Sequence, residues 1–333
     1  MKKSVVFLLL VSLFFFSCQK PPKTLYTIGV IQLLDSPTAN ETRKGLIQAL
    51  EDGGLKDGVN VVLKIRNGMG DISEVQRIAQ EFVNEKVDMI VPISTQCLQA
   101  ALIVSQNIPI IFSSVANPYL TRAGVSPTEH LSNVTGVSSE GPIKETLKLV
   151  KETLPLTKRV GTLWTPSELN SEYYLEIARE GAAELGFEIV AVPVSSPSEV
   201  LLAAQVLINK KIDVIYQISD NTVNAAFMAL GKVAEENGIP LFGGFLRSTE
   251  LGACAAMGWE FFDMGYKTGQ MVIRVKGGES PVKIPFQGMT TVKLSLNLKA
   301  AEKQGVKFPD AVLKRAAEVL TSSDIPVKSG LID

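Results

Sequence analysis

The chain has 333 residues, 46% hydrophobic and 20% charged, which at roughly 100 to 200 residues per domain suits two or three compact units and excludes a disordered or fibrous chain. Lys and Arg number 33 against 34 Asp and Glu, a net charge of -1, so no electrostatic footprint points to nucleic acid. Three cysteines, Cys18, Cys97 and Cys254, are too few for a disulfide scaffold; the single histidine, His130, excludes a multi-histidine metal cage, and no cofactor is expected.

Lys2 and Lys3 precede an apolar run from Val5 to Phe16 that only Ser12 interrupts. A spanning helix needs about 20 apolar residues, so this shorter run behind positive charge reads as an export signal. Its end, Phe15-Phe16-Ser17-Cys18, resembles the bacterial lipobox, which implies cleavage after residue 17 and lipid, palmitate included, on Cys18. Removal of residues 1–17 leaves 31 basic against 34 acidic residues. Residues 18–23 form a tether, since Gln19-Lys20-Pro21-Pro22-Lys23 holds two prolines and nothing apolar. A lipid anchor in the cell envelope, facing the periplasm or exterior, disfavours chemistry that needs cytoplasmic ATP or nicotinamide cofactors.

From Leu25 onward short β-branched runs alternate with amphipathic segments, the pattern of a parallel sheet with crossover helices. Strands are predicted over Tyr26 to Gln32, Val59 to Arg66, Val87 to Ile93 and Ile108 to Ser113. The segment Asp71 to Glu85 places Ile72, Val75, Ile78, Ala79, Phe82 and Val83 on one stripe, with Asp71 and Glu74 spaced as a capping pair. A second set of strands follows at Val160 to Trp164, Phe187 to Val192, Ile212 to Ile218 and Ile239 to Phe242. Helices are predicted over Asn170 to Leu185, Pro197 to Asn209 and Asp220 to Asn237, the second opened by Ser196-Pro197-Ser198-Glu199. The two sets repeat one another: Lys86 to Ser94 (KVDMIVPIS) matches Lys211 to Ser219 (KIDVIYQIS), and Ile108 to Phe112 is echoed by Ile239 to Phe242. The prediction is α/β, two Rossmann-like lobes with parallel sheets joined by a multi-strand hinge. Residues 24–135 with about 260–292 form the first lobe, and 136–259 with about 293–333 the second. A helix over Trp259 to Val275 and an extended run from Val282 to Leu296 supply further crossings, and Pro309 to Leu320 is a last helix.

Ligands of open parallel sheets sit beyond the carboxyl ends of the strands, where helix N-termini offer free N–H groups. The residues there include Gln32 and Asp35 after the first strand, Ser94, Thr95 and Gln96 after the third, and Ser114 to Asn117 after the fourth. The second lobe contributes Asn170 and Ser171, Asp220 and Asn221, and Phe245 and Arg247. Any one Ser, Thr, Asp or Asn here reads equally as a helix cap. Asp220 stands apart, because its carboxylate among neutral donors suits an ammonium group, and Arg247 would pair with an anionic ligand.

The order of these segments resembles the type I periplasmic binding proteins of ABC importers, and within them the lipoprotein family whose characterised members bind tryptophan or phenylalanine. The resemblance rests on Ile28-Gly29-Val30, Arg43-Lys44-Gly45, Asn117-Pro118, Asn133 to Val137, Ser167 to Ser171, Ser219 to Val223 and Gly265 to Gly269, and spans nearly all of the mature chain. It implies that Thr95 and neighbouring N–H groups receive a ligand carboxylate, while Asn170 and Asp220 hold the amino end. It also implies a monomeric binding protein that closes around an aromatic or hydrophobic amino acid and delivers it to an ABC permease and its ATPase. Another small polar solute, such as a nucleoside, sugar or anion, is the alternative, as is a sensory ligand-binding lipoprotein.

An enzyme is disfavoured. His130 sits in a polar loop that suits a solvated side chain better than a triad. Gly68-Met69-Gly70 follows a strand but position 73 is Ser73, so the dinucleotide fingerprint is incomplete. Cys97 and Cys254 read as buried thiols or an exported disulfide, and Trp164 as lobe core or a stacking surface.

Overall fold

The computed structural model describes residues 25–321. The export signal, Cys18 and the tether lie outside the described residues, as does the stretch beyond Thr321. Among the described residues no helix is long and apolar enough to cross a membrane.

The first sheet starts where β-branched residues alternate. In β1 (Tyr26–Gln32) Ile28 and Val30 point to one face and Ile31 to the other, and all three are fully buried, as a strand between two helical layers requires. The chain continues through α1 (Pro37–Asp52), β2 (Val61–Asn67), α2 (Ile72–Asn84), β3 (Met89–Ile93), α3 (Thr95–Val104), β4 (Ile110–Val115) and β5 (Val134–Ser138). These five strands are parallel, in the order β2-β1-β3-β4-β5. The second sheet follows with α4 (Ile143–Thr153), β6 (Arg159–Trp164), α5 (Leu169–Leu185), β7 (Glu188–Pro193), α6 (Val200–Asn209), β8 (Val214–Gln217), α7 (Asn221–Ala225), α8 (Phe227–Asn237), β9 (Leu241–Gly243) and β10 (Ala255–Gly258). The chain then forms α9 (Phe261–Lys276), β11 (Lys293–Asn297), α10 (Leu298–Lys303), α11 (Asp310–Arg315) and β12 (Glu318–Leu320). Order in the second sheet is β12-β11-β10-β9-β8-β6-β7, with only the β10–β11 pair antiparallel.

The sequence repeat has a structural counterpart. Asp88 accepts a hydrogen bond from Thr27 N at 2.7 Å, and Asp213 accepts from Lys158 N and Arg159 N at 2.8 Å, so each carboxylate ties the start of a neighbouring strand. Two residues earlier Lys86 and Lys211 carry φ values of 54° and 55°, the same left-handed exit from a helix in both lobes.

Several boundaries differ from expectation for local reasons. The segment from Asp220 to Asn237 is two helices, because Ala226 leaves helical geometry at φ -117°. Pro197–Glu199 forms one 3₁₀ turn before α6; Glu199 reaches back to Ser195 N at 2.8 Å, while the Ser196 hydroxyl bonds Ser198. Most of the extended run from Val282 is irregular, and only Lys293–Asn297 is a strand. The final predicted helix stops at Arg315, and Glu318–Leu320 pairs with β11 as the sheet's edge. β5 belongs to the first sheet, so the chain first crosses between lobes after Ser138. It crosses back between β10 and α9, and a third time after Gln287, whose backbone pairs with β5.

The second crossing is locked by backbone contact between α1 and α9. A Cβ placed on Gly265 would stand 1.8 Å from Thr42 O, and one on Gly45 would stand 1.9 Å from Phe262 O. Only glycine lets these helices approach so closely, and the approach holds Phe261 and Phe262 at the lobe junction. Gly265→Ala is expected to lower stability by about 2 kcal/mol or more through overpacking. Thermal denaturation followed by circular dichroism checks this, and an unchanged melting point would contradict it.

Candidate functional site

The carboxyl ends of both sheets face each other across the crossings and enclose a small, partly closed cavity. Its first-lobe wall is mostly apolar: Leu33 and Leu34 follow β1, Ala39 lies on α1, Ile93 ends β3 and Ala116 follows β4. Ser94 and Ser114 are the hydroxyls of that wall, joined by Thr38 from α1. The second lobe supplies Asn170 and Tyr174, one turn apart on α5, with Ser219 and Asn221. Ser139 and Phe261 come from the crossings, and Tyr174 Oη donates to Ser139 O at 2.5 Å. Among the described residues, no Lys, Arg or His lines this cavity.

The first-lobe wall carries backbone strain. Ser94 has φ 117° and Ser114 φ 56°, in regions that non-glycine residues reach at a cost of about 1 to 3 kcal/mol each. Ser94 caps α3, accepting from Cys97 N at 3.3 Å, so the first turn of α3 opens at the cavity. The Thr95 hydroxyl is spent within the lobe, accepting from Ala116 N at 3.3 Å.

The second-lobe wall is backed by two carboxylates. Glu168 is buried and accepts from Asn170 Nδ2 (3.0 Å), Asn221 Nδ2 (2.7 Å), Asn221 N (3.2 Å), Thr222 N (3.1 Å) and Thr222 Oγ1 (2.8 Å). It therefore caps α7 and fixes the orientation of both asparagines that line the cavity. Asp220 is fully buried; its Oδ1 accepts from Thr165 Oγ1 (3.1 Å) and Val223 N (2.8 Å), the neighbouring Ser171 hydroxyl favours its charged form, and Oδ2 has no partner within hydrogen-bond geometry. Burial, and then the negative charge of Glu168, push the Asp220 carboxyl up to about 7.

Gln96 bridges the lobes. Its Nε2 donates to Asn170 Oδ1 at 2.7 Å and its Oε1 accepts from Asn221 Nδ2 at 3.3 Å, so one side-chain amide closes the seam beside the cavity. A second small chamber shares Thr38 and Phe261 with the first. Phe245, Trp259 and Phe262 line it, and at its rim Arg247 lies 3.3 Å from Glu41 across the lobes while also pairing with Glu250.

Of the candidates read from sequence, Ser94, Asn170 and Asn221 line the first cavity, Phe245 and Arg247 the second, and Gln96 the seam. Asp220 sits behind Ser219 and Asn221, and Ser171 beside it accepts from Thr165 N at 2.9 Å. The other positions lie elsewhere. Gln32 is buried between Asn40 and Arg43, Asp35 is exposed, and Asn117 caps its own turn through Tyr119 N and Leu120 N. Glu168 was not singled out, although a carboxylate at the start of a helix after a strand was a visible signal. Tyr174 and Phe261 carried no local signal, since the rim they join is assembled only by the fold. His130 stacks on Phe286 at 4.3 Å, Trp164 packs into the second-lobe core, and Cys97 and Cys254 are buried free thiols, pushed up to about 12 by burial.

Comparison with known proteins follows this geometry. The family described as ABC transporter substrate binding protein matches residues 27–320. A tyrosine-binding protein of Clostridioides difficile is 36% identical over 280 residues, 83% of this chain and 81% of that one. The structure of an ABC domain in complex with L-Trp from Streptococcus pneumonia aligns with a TM-score of 0.84 at 28% identity, covering 89% of this chain and all of the other. The ligand-free, open structure of a substrate binding protein with adhesive properties from Clostridium difficile aligns at 0.65 with 31% identity, over 89% of this chain and all of the other. At similar identity the chain superposes better on the ligand-bound structure, in agreement with the closed seam at Gln96. The fold is that of type I periplasmic binding proteins.

A carboxyl whose native pKa lies above its unfolded one holds its proton more tightly when folded, so its contribution to stability falls as pH rises from about 4 toward 7. Asp220→Asn keeps the capping oxygen and removes the charge. The ligand-free variant is expected to lose less stability than wild type between about pH 5 and 8 in urea denaturation. Parallel pH profiles would show that Asp220 does not titrate in that window.

Proposed function

We propose a specific role for this chain, which belongs to the family of ABC transporter substrate-binding proteins: it captures an aromatic amino acid between its lobes and presents the closed form to a permease. The observation that carries the ligand class is the unpartnered Asp220 Oδ2 next to Glu168, behind a cavity with no cationic side chain in its lining. Two buried carboxylates without a counter-charge are costly, and an α-ammonium group supplies the missing charge. The first turn of α3 at Ser94 offers N–H groups for an α-carboxylate, and Leu33, Leu34, Ala39 and Phe261 offer apolar side chains for a ring to pack against. An anionic solute is disfavoured by the same carboxylates. Relatives named for binding tyrosine and tryptophan support the assignment.

The role needs no bond chemistry. Contacts from both lobes are made together only when the cleft shuts, so ligand binding shifts an open to closed equilibrium by its differential affinity for the closed state. Gln96 adds lobe-to-lobe bonds that exist only on closure. The protein acts as a monomer, tethered outside the cytoplasm by lipid on Cys18; the export signal and the Phe15 to Cys18 motif support this part of the reading.

Asp220→Ala is expected to weaken tyrosine and tryptophan binding at least roughly tenfold, the scale of a lost charge-assisted hydrogen bond, while the protein stays folded. Calorimetry with each amino acid measures this, and an unchanged affinity would sink the role given to Asp220. Cys18→Ser should move the protein from the membrane to the soluble fraction of the native cell; retention of the variant on the membrane would refute lipid anchoring at Cys18.

A further inference from the structure

Ser114 is held in an unusual way. The register between β4 and β5 shifts at this residue, with Ser113 opposite Val137 and Val115 opposite Ser138, so Ser114 is the extra residue of a bulge. Its backbone is left-handed at φ 56°, a conformation serine adopts at a cost, and the residue lines the cavity. Bulges re-aim a side chain, and the direction obtained here has a definite consequence for its hydroxyl.

Ser114 Oγ lies 2.9 Å from Thr42 Oγ1 and 3.3 Å from Met264 Sδ. Thr42 Oγ1 in turn donates to Thr38 O at 2.9 Å. A hydroxyl has one proton and two lone pairs. With the Thr42 proton on Thr38 O, the Ser114 proton goes to Thr42 Oγ1 or Met264 Sδ, both of which lie on the α1 and α9 side, away from the cleft. If the Thr42 proton turns to Ser114 instead, the Ser114 proton still goes to Met264. In each arrangement Ser114 Oγ donates into the lobe and retains at least one free lone pair as a hydrogen-bond acceptor.

We infer that Ser114 is a specificity-determining residue that accepts a hydrogen bond from a donor on the ligand's ring, so that the site favours a hydroxylated or N–H-bearing aromatic side chain over plain phenyl. The inference rests on the aromatic amino acid reading above and deepens it. The position agrees with the division of the cavity. The carboxylates that suit the ammonium group back the second-lobe wall, whereas Ser114 stands on the first-lobe wall, in a lining that also holds Ala39 and Phe261, where an amino acid anchored opposite would direct its ring. A ring without a donor leaves the Ser114 lone pair unmatched away from water, which costs affinity.

The test is calorimetry of tyrosine, tryptophan and phenylalanine with wild type, Ser114→Ala and Ser114→Gly, with melting points recorded to establish folding. Wild type is expected to bind tyrosine, tryptophan or both roughly tenfold more tightly than phenylalanine, the scale of one neutral hydrogen bond. Ser114→Ala should bring the preferred ligand and phenylalanine to about equal affinity, the former losing its bond and the latter no longer leaving a lone pair unmatched. Glycine suits the left-handed backbone, so Ser114→Gly reports the same loss should the alanine variant fail to fold. Tyrosine against tryptophan tells a phenol donor from an indole one. A ratio to phenylalanine that is the same in wild type and variants overturns the inference while leaving the aromatic reading intact; failure of all three to bind wild type overturns both.

Discussion

Two carboxylates, Glu168 and Asp220, are buried in mutual electrostatic contact, and among the described residues no lysine, arginine or histidine lines the cavity beside them. A buried ion costs several kcal/mol unless hydrogen bonds and counter-charge offset the loss of water. Glu168 is satisfied by five donors from three residues, and this fixes the site: α7 is capped, Asn170 and Asn221 are turned toward the cleft, and the amide that bridges the lobes finds both partners in place. Asp220 is satisfied on one oxygen only. The fold thus holds one carboxylate at rest and leaves the other short of a partner.

Gln96 does not itself line the cavity but bonds across the seam to Asn170 and Asn221, which do, so closure and the cavity wall share these amides. The Glu41–Arg247 contact spans the lobes at the second chamber, but its side chains are 18% and 43% exposed, and a pair so open to solvent contributes little. The first-lobe wall is strained backbone: Ser94 and Ser114 sit at the ends of adjacent strands in conformations that the surrounding sheet and helices must impose. That strain is sustainable because the strands beneath are fully buried and α1 and α9 are locked by glycine-to-backbone contact.

Much of this was legible beforehand where the signal is local. Alternating β-branched runs announced the parallel strands, and the copied Lys-Val/Ile-Asp stretches announced the paired lobes, because Asp88 and Asp213 do the same strand-tying work at the same place. Cap residues marked helix starts at Asp71 and Asp220. Where a segment's conformation depends on distant partners, reading failed: Glu318–Leu320 is a strand because β11 is beside it, and Gln32 turns from the cleft toward Asn40 and Arg43 on α1.

The sequence by itself determined the class of fold and the neighbourhood of the site, since hydrophobic period and helix caps are properties of adjacent residues and the rim of a parallel sheet follows from them. Only the tertiary structure decided which rim residues meet. Asn117 and Gln96 look alike on a strand-end list, yet one caps its own turn and the other spans the cleft. The proton order along Thr38, Thr42, Ser114 and Met264 brings together residues up to 226 positions apart. No local pattern encodes such a relay, because hydrogen-bond direction depends on every neighbour a hydroxyl has, and those neighbours are chosen by packing.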